Sequence, residues 1–328
     1  MDQLNILDAR IPKWDLNNLS ERNCPFCGSK NDAVISRPDK LQLSYCDICG
    51  CWYVSTLPTE SSIVDFYNGY FYSHRQSELS KSNAIQMLKN AKCAGKSEWR
   101  LQTLNKILNG LHGKRILEAG CGLCSFLLSA RAEGAEVTGC DLSPEACDFA
   151  QNQLGIEAHC STLESCIPNI GKVDAVIMKD FIEHPIDPLT VINAAYSVLK
   201  PEGVLLLHTP NGGEAGRSVE IGKEWVGFRV DLEHLQYLSP RTVNWIAQKN
   251  YMHIERLETF GLPGLKGLSE LPARNYRKPT QFVKNLIRKI PLVPIVTKTL
   301  HFVKAEMASE QQDPRLGSYH LFAVLRKQ

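Results

Sequence analysis

Four cysteines near the amino terminus have the residue type and the spacing to hold a metal ion. Cys24 and Cys27 lie in CPFCGSK, and Cys46 and Cys49 in CDICGCW, so two Cys-x-x-Cys turns are separated by eighteen residues. Gly28 and Gly50 follow the two turns and allow the backbone to fold around an ion. Four converging thiolates make a closed tetrahedral site with bonds of about 2.3 Å, and this spacing matches the zinc-ribbon template. Such a site has no position for water or substrate. The zinc expected there is structural, folding a domain too short to stabilise itself. Cys51, next to the second turn, is expected to pack rather than to ligate.

A second chemical signal is RILEAGCGLCSFLL, Arg115 to Leu128, which reads as a strand, a glycine turn and the start of a helix. A dinucleotide fingerprint needs a third glycine for close helix packing near a pyrophosphate, but here Gly120 and Gly122 are followed by Cys124 and Ser125. The carboxylate of Glu118, two residues before Gly120, suits a cation better than a phosphate. Asp141 ends the next apolar run about 20 residues on, where it can accept hydrogen bonds from ribose hydroxyls. The expected ligand therefore carries a ribose and a positive charge, and no phosphates.

These residues need a scaffold, and the chain is long enough to build one. Its 328 residues are 43% hydrophobic, as in a folded protein with a sizeable core, and its net charge of +2 creates no global field for nucleic acid. The amino-terminal stretch MDQLNILDARIPKW mixes acidic with apolar residues and makes a poor secretory signal, so the expected location is cytoplasmic. Ile290 to Val303 is interrupted by Pro291, Pro294, Lys298 and His301 and is too short to span a bilayer. From Lys114 onward short apolar runs alternate with helical ones, which predicts a parallel sheet with helices on both faces. The expected strands are Arg115–Ala119, Glu136–Asp141, Ile156–His159, Val173–Lys179, Gly203–His208, Met252–Phe260 and Ser318–Leu325. Ser143 caps the helix after the second strand, with Pro144 at its first position.

The series EAGCGLC, GCDLS, VDAVIMKDFIEH and LKPEGVLLLHTPN, from Lys114 to about Asn211, resembles the class I S-adenosylmethionine-dependent methyltransferases. The resemblance implies a Rossmann-like seven-stranded α/β sheet with its last strand antiparallel. It also implies that Glu118, Gly120 and Gly122 surround the methionine part of S-adenosylmethionine, that Asp141 and Leu142 hold the ribose and flank the adenine, and that Thr162 and Leu163 lie near the adenine amine. Asp180 is expected to face the same crevice. The family usually has glycine where this chain has Cys124. More narrowly, the chain resembles methyltransferases of sugar and surface-polysaccharide pathways that carry amino-terminal Cys-x-x-Cys knuckles. The likeness includes the aromatic run Phe66 to Tyr72 and the segment EWVGFRVDLEHLQYLSPRTV. Deoxysugar C-methyltransferases with similar knuckles have a further carboxy-terminal domain not found in this sequence, which disfavours C-methylation.

The expected organisation is a zinc ribbon at 1–60, an aromatic and helical linker or lid at 61–113, and a methyltransferase domain at 114–328 with a basic helical insertion at about 263–317. Methyl transfer to a hydroxyl needs a base. His234 in DLEHLQYLS is preferred, in the expected acceptor pocket between Trp225 and Tyr237, with Asp231 or Glu233 orienting its ring. His184 and Glu183 in DFIEHP are the alternatives, or they brace the loop beneath the cofactor. Tyr70 and Tyr72 would close over the cofactor, stack on an acceptor ring, or join the two domains. The apolar spacing of Phe282, Val283, Leu286, Ile287 and Ile290, beside Lys284, Arg288 and Lys289, suits a core-facing helix, a dimer contact, or a helix lying on the inner face of a membrane. The expected acceptor is a small molecule or glycan, a sugar above all. RNA is disfavoured because Lys30, Arg37 and Lys40 in the ribbon are offset by Asp32, Asp39 and Asp47. A non-catalytic scaffold is the remaining alternative, opposed by the presence of Glu118 and Asp141.

Overall fold

The computed structural model describes residues 12, 14–63, 65–66, 79–94, 98–217, 219–261 and 318–328. Tyr70, Tyr72 and the basic segment at 281–290 lie outside the described residues, as does the whole insertion at 263–317.

The first elements are five short strands: β1 (Ser20–Glu21), β2 (Ala33–Ser36), β3 (Gln42–Tyr45), β4 (Trp52–Val54) and β5 (Thr56–Leu57). Helices α1 (Lys81–Ala94) and α2 (Trp99–Ile107) lead into the large sheet. That sheet opens with β6 (Arg115–Ala119), α3 (Ser125–Ala132), β7 (Glu136–Asp141), α4 (Pro144–Phe149) and β8 (Glu157–Cys160). It continues with α5 (Leu163–Ile170), β9 (Val173–Lys179), α6 (Pro188–Val198) and β10 (Leu199–Pro210). After β10 come α7 (Val219–Glu224), β11 (Gln236–Tyr237), α8 (Pro240–Lys249), β12 (Met252–Phe260) and β13 (His320–Lys327).

The seven strands lie in the order β12-β13-β10-β9-β6-β7-β8, and only β13 runs antiparallel to its neighbours. The central strands β9 and β10 are mostly apolar because both of their faces are covered. Ile116, Ala175, Ile177, Val204 and Leu206 meet α1 to α4 on one face. Leu117, Ala119, Val176, Met178, Leu205 and Leu207 meet α5, α6 and α8 on the other. Ser143 caps α4 by accepting from the Ala146 amide, with Pro144 in the first turn as expected.

Three strand ends differ from expectation. The third strand is displaced by one residue to Glu157–Cys160, the fifth starts at Leu199 and runs to Pro210, and the seventh is His320–Lys327. Pairing across the sheet sets these ends, and apolar periodicity carries no information about pairing.

The ribbon reaches beyond the first 60 residues. Its four-stranded sheet has the order β11-β4-β3-β2, so a strand that follows the fifth strand of the large sheet completes it, with Gln236 opposite Tyr53 and Tyr237 opposite Trp52. Ile35, Leu43, Trp52 and Val54 share one core with Trp225, Phe228, Leu235 and Tyr237. The two parts of the molecule are built into each other.

Candidate active site

The four expected ligands converge. Sγ of Cys24 lies 3.4 Å from that of Cys49, Sγ of Cys27 lies 3.3 Å from that of Cys46, and all four are within 4.8 Å of one another. In a tetrahedron with bonds of about 2.3 Å the sulfurs would stand about 3.8 Å apart, so the thiols fit a tetrahedral ion with slight relaxation. Both knuckles turn alike: the Gly28 amide donates to the Cys24 carbonyl at 2.9 Å, and the Gly50 amide to the Cys46 carbonyl at 2.8 Å. Each glycine has a positive φ, 74° and 73°. Cys51 stays outside the group, its thiol donating to the Trp52 carbonyl at 3.1 Å.

The cofactor crevice lies at the carboxyl ends of β6, β7 and β9, where open parallel sheets place their ligands. Glu118 is 2% exposed and its Oε2 has no hydrogen-bond partner among the described residues. Burial pushes its carboxyl up to about 7, with Lys179 opposing that rise. An unpartnered buried carboxylate fits a ligand that brings a cation or N–H donors. Gly120 has φ of 67°, and a Cβ there would stand 2.5 Å from the Phe181 ring, so both conformation and space require glycine. Gly122 has φ of 46° and open space on its Cβ side. Cys124, where the family has glycine, adopts the left-handed conformation at the cap of α3 with its side chain fully buried.

Asp141 accepts from the Gly122 amide through Oδ2 and from the Ser143 amide through Oδ1, both at 2.9 Å. It therefore ties the glycine loop to the start of α4, and each oxygen keeps a further lone pair for a ribose hydroxyl. Leu142 beside it is exposed, as a residue covering a flat ring would be. Thr162 caps α5 by accepting from the Ser165 amide. The Leu163 side chain is in the core, which leaves only its backbone for an adenine.

Asp180 has a left-handed φ of 49° at the end of β9, and its carboxylate faces His208 Nδ1 at 3.4 Å. Burial works against its charge, but His208, Lys179 and Arg100 hold its carboxyl below the usual range. The charge of Asp180 acts on both Glu118 and Glu183, so Asp180 lies near both the expected cofactor residues and a candidate base. Sequence reasoning missed His208 and Arg100. His208 stacks against Phe260 and His320, which also stack on each other, and Arg100 Nη2 lies 3.4 Å from its ring nitrogens while the Arg100 guanidinium covers Trp99. Arg100 Nε has no partner among the described residues. The available signal was an arginine in EWR, one helix ahead of the glycine loop.

The candidate bases also come together. His234 Nε2 lies 4.0 Å from Glu183 Oε1, and the His184 and His234 rings meet edge to face at 4.8 Å between centroids. Thr209 Oγ1 donates to Glu183 Oε2 at 2.9 Å, whereas Glu183 Oε1 and His234 Nδ1 have no hydrogen-bond partner among the described residues. Burial, reinforced by Asp180, raises the Glu183 carboxyl well above the usual range. Burial lowers His184 to about 4 and, with the charges of His184 and Arg37, holds His234 well below the ordinary histidine value. One ligand atom each from Glu183, His184 and His234 lies within 4.8 Å of the others, a spacing that also suits a cation.

Two expectations around His234 are corrected. The carboxylate beside its ring is Glu183, Oε1 to Nε2 at 4.0 Å, while the Asp231 carboxylate accepts from the Tyr319 hydroxyl. Trp225 and Tyr237 line no open pocket: both are fully buried, and their rings pack at 5.3 Å in the ribbon core. An apolar aromatic segment next to a sheet that lacked a fourth strand was drawn in to complete it.

Residues 94–250 match the family profile described as a methyltransferase domain. The ubiquinone biosynthesis O-methyltransferase of Actinobacillus pleuropneumoniae serotype 5b (strain L20) is 34% identical over 138 residues, covering 39% of this chain and 59% of that protein. The protein of the same name from Chromobacterium violaceum is 28% identical over 182 residues, covering 52% of this chain and 78% of that protein. The chain thus spans about 59% of the length of the first of these relatives. A solved S-adenosylmethionine-dependent methyltransferase from Archaeoglobus fulgidus superposes with a TM-score of 0.48 at 17% identity, over 80% of this chain and 100% of that one. The match to a methyltransferase domain covers just under half of the chain, and the large sheet has the seven-stranded order and single reversed strand of the class I fold.

Proposed function

We propose that this protein transfers a methyl group from S-adenosylmethionine to a hydroxyl of a small molecule, with sugars of nucleotide-sugar or surface-polysaccharide metabolism as the acceptor class, and that its four thiolates hold a structural zinc. The observation that carries the cofactor reading is the buried, unpartnered Glu118 oxygen beside a glycine turn tied to Asp141. In this reading Glu118, Gly120 and Gly122 surround the methionine part, and Arg100 takes its carboxylate. Asp141 takes the ribose, and Leu142, Thr162 and the Leu163 backbone flank the adenine. Tyr70 would close the crevice from the linker. When bound, S-adenosylmethionine supplies an electrophilic methyl group on a sulfonium.

A hydroxyl nucleophile must give up its proton, and His234 is the acceptor. Its low proton affinity keeps the ring neutral near pH 7, and Glu183 Oε1, 4.0 Å from Nε2, stands beside the imidazolium that proton transfer would form. The relatives' description as O-methyltransferases supports oxygen as the nucleophile. A second reading rests on the mutual proximity of Glu183, His184 and His234: a divalent cation there would acidify the acceptor hydroxyl in place of the base.

Calorimetric titration of the zinc-loaded protein with S-adenosylmethionine, beside Asp141→Ala, tests the cofactor. Micromolar binding lost in the variant is the expected result, and absence of binding to the wild type overturns the reading. Labelled methyl donor offered with nucleotide sugars and with hydroxylated intermediates of ubiquinone biosynthesis, with and without magnesium, then decides the acceptor class. Transfer to the latter alone would replace the sugar assignment. Among the described residues no helix is long and apolar enough to cross a membrane, and contact of the 281–290 segment with anionic lipid is a separate proposal that liposome pelleting tests.

A further inference from the structure

The ribbon contributes one buried and one partly buried arginine to the loops that carry the candidate base. Arg37 sits at the tip of the β2–β3 hairpin and is 2% exposed. Its Nη1 donates to the His234 carbonyl at 2.6 Å and to the Tyr237 hydroxyl at 3.0 Å. Its Nη2 donates to the Leu232 carbonyl at 2.6 Å and to Asp39 Oδ2 at 2.5 Å, and Nε donates to Asp39 Oδ1 at 3.1 Å. All three guanidinium nitrogens are engaged, and the two contacts that leave the ribbon's own hairpin for a main chain end on either side of Glu233. Asp39 is fixed in turn by Trp14, whose indole N–H donates to it at 2.9 Å.

Arg22 performs a parallel task. Its Nη2 donates to the Leu235 carbonyl at 2.5 Å, its Nη1 to the Ile186 carbonyl at 2.9 Å, and its Nε to the Val54 carbonyl at 2.6 Å. One side chain thereby joins the ribbon to the loop after Glu183 and His184 and to the loop of His234. Between those loops the Leu235 amide donates to the Glu183 carbonyl at 2.8 Å, and Gln236 Nε2 donates to the carbonyls of Ile182 and Pro185 at 2.8 Å and 2.9 Å. A planar guanidinium with its donors in a fixed fork can hold two carbonyls at set positions, which a lysine ammonium cannot do.

We infer that Arg37 and Arg22 are positioning residues that set the spacing between Glu183 and His234, so that the ribbon works as part of the active site in addition to being a folded module. The inference rests on the reading of His234 as the proton acceptor. It assigns no contact with substrate to either arginine. They act through the backbone of residues 232–237 and 186. The titratable and charged groups that bear on the His234 ring are Glu183 and His184 from the loop after β9, Arg37 from the ribbon, and Tyr237 from its own segment.

The test compares Arg37→Met and Arg37→Lys with the wild-type full-length protein, with zinc content and S-adenosylmethionine affinity measured on every sample. Amide hydrogen exchange over residues 232–237 and NMR titration of the labelled His234 ring are the readouts. Neither requires a known acceptor. The expected result is exchange about tenfold faster or more in that segment, with His234 titrating at higher pH as its burial is relieved, while zinc and cofactor binding are retained. Arg37→Lys keeps the charge and loses the fork, so it is the milder variant should Arg37→Met fail to load zinc. Wild-type exchange and wild-type His234 titration in a zinc-loaded Arg37→Lys protein would overturn the inference. His234→Ala tests the underlying reading separately: methyl transfer that survives it removes the base assignment and leaves the measured effect of Arg37 on the loop intact.

Discussion

At the scale of single residues, Glu118 carries the clearest electrostatic consequence. Its carboxyl has an ordinary value of 4.5 and is raised by burial to about 7 in the folded chain. A folded value above the unfolded one means that the retained proton contributes stability below about pH 4.5, and that this contribution is lost as pH rises through 7. A cationic ligand reverses the preference, because it favours the ionised carboxylate. Affinity for S-adenosylmethionine is therefore expected to strengthen between pH 6 and 8, by at most about tenfold per unit. Glu118→Gln should bind more weakly and show a flat profile. Calorimetry across that range checks both, and a flat wild-type profile would mean that Glu118 does not face the cation.

The next scale is the turn between β6 and α3, where two glycines have different tasks. Gly120 has a left-handed φ with the Phe181 ring against it, while Gly122 has a left-handed φ with open space where its ligand would lie. Gly120→Ala is expected to cost about 1–2 kcal/mol for the backbone alone, with displacement of Phe181 in addition. Gly122→Ala should cost the free protein only the backbone part and should weaken cofactor binding, since the added methyl group stands in the crevice. Denaturant unfolding and cofactor titration of the two variants should separate these effects, and equal stability losses in both would remove the role given to Phe181. Cys124 shows that the third position of the turn also takes a left-handed conformation without glycine, its side chain closed into the core.

For the molecule as a whole, the ribbon and the large sheet depend on each other. The cysteine knuckles belong to the same apolar cluster as Leu117, Val176 and Leu205 of the large sheet, and β11 completes the ribbon from the other side. Removing the proposed zinc with a chelator is expected to loosen the ribbon, release β11 and slacken the His234 loop. Methyl transfer should then be lost before affinity for S-adenosylmethionine declines, because Glu118, Asp141 and the glycine turn are held by the large sheet. Parallel loss of both along a chelator titration would show that the cofactor crevice also depends on the ribbon.

The sequence by itself determined what local pattern and residue chemistry can encode. The expected bounds of β6, β7, β9 and β12 are the observed ones, and the central strands β6 and β9 are mostly apolar because both of their faces are covered. Cysteine spacing identified the four converging thiols, and a carboxylate before a glycine turn with Asp141 one strand later marked the crevice. Tertiary structure alone decided the rest. That β11 belongs to the ribbon, that Glu183 faces His234, that Arg37 reaches across about two hundred residues of chain to the His234 carbonyl, and that Trp225 and Tyr237 are core all depend on pairings between distant segments. Neither periodicity nor propensity carries those pairings, because hydrogen-bonding partners and apolar faces are matched only once the chain has closed on itself.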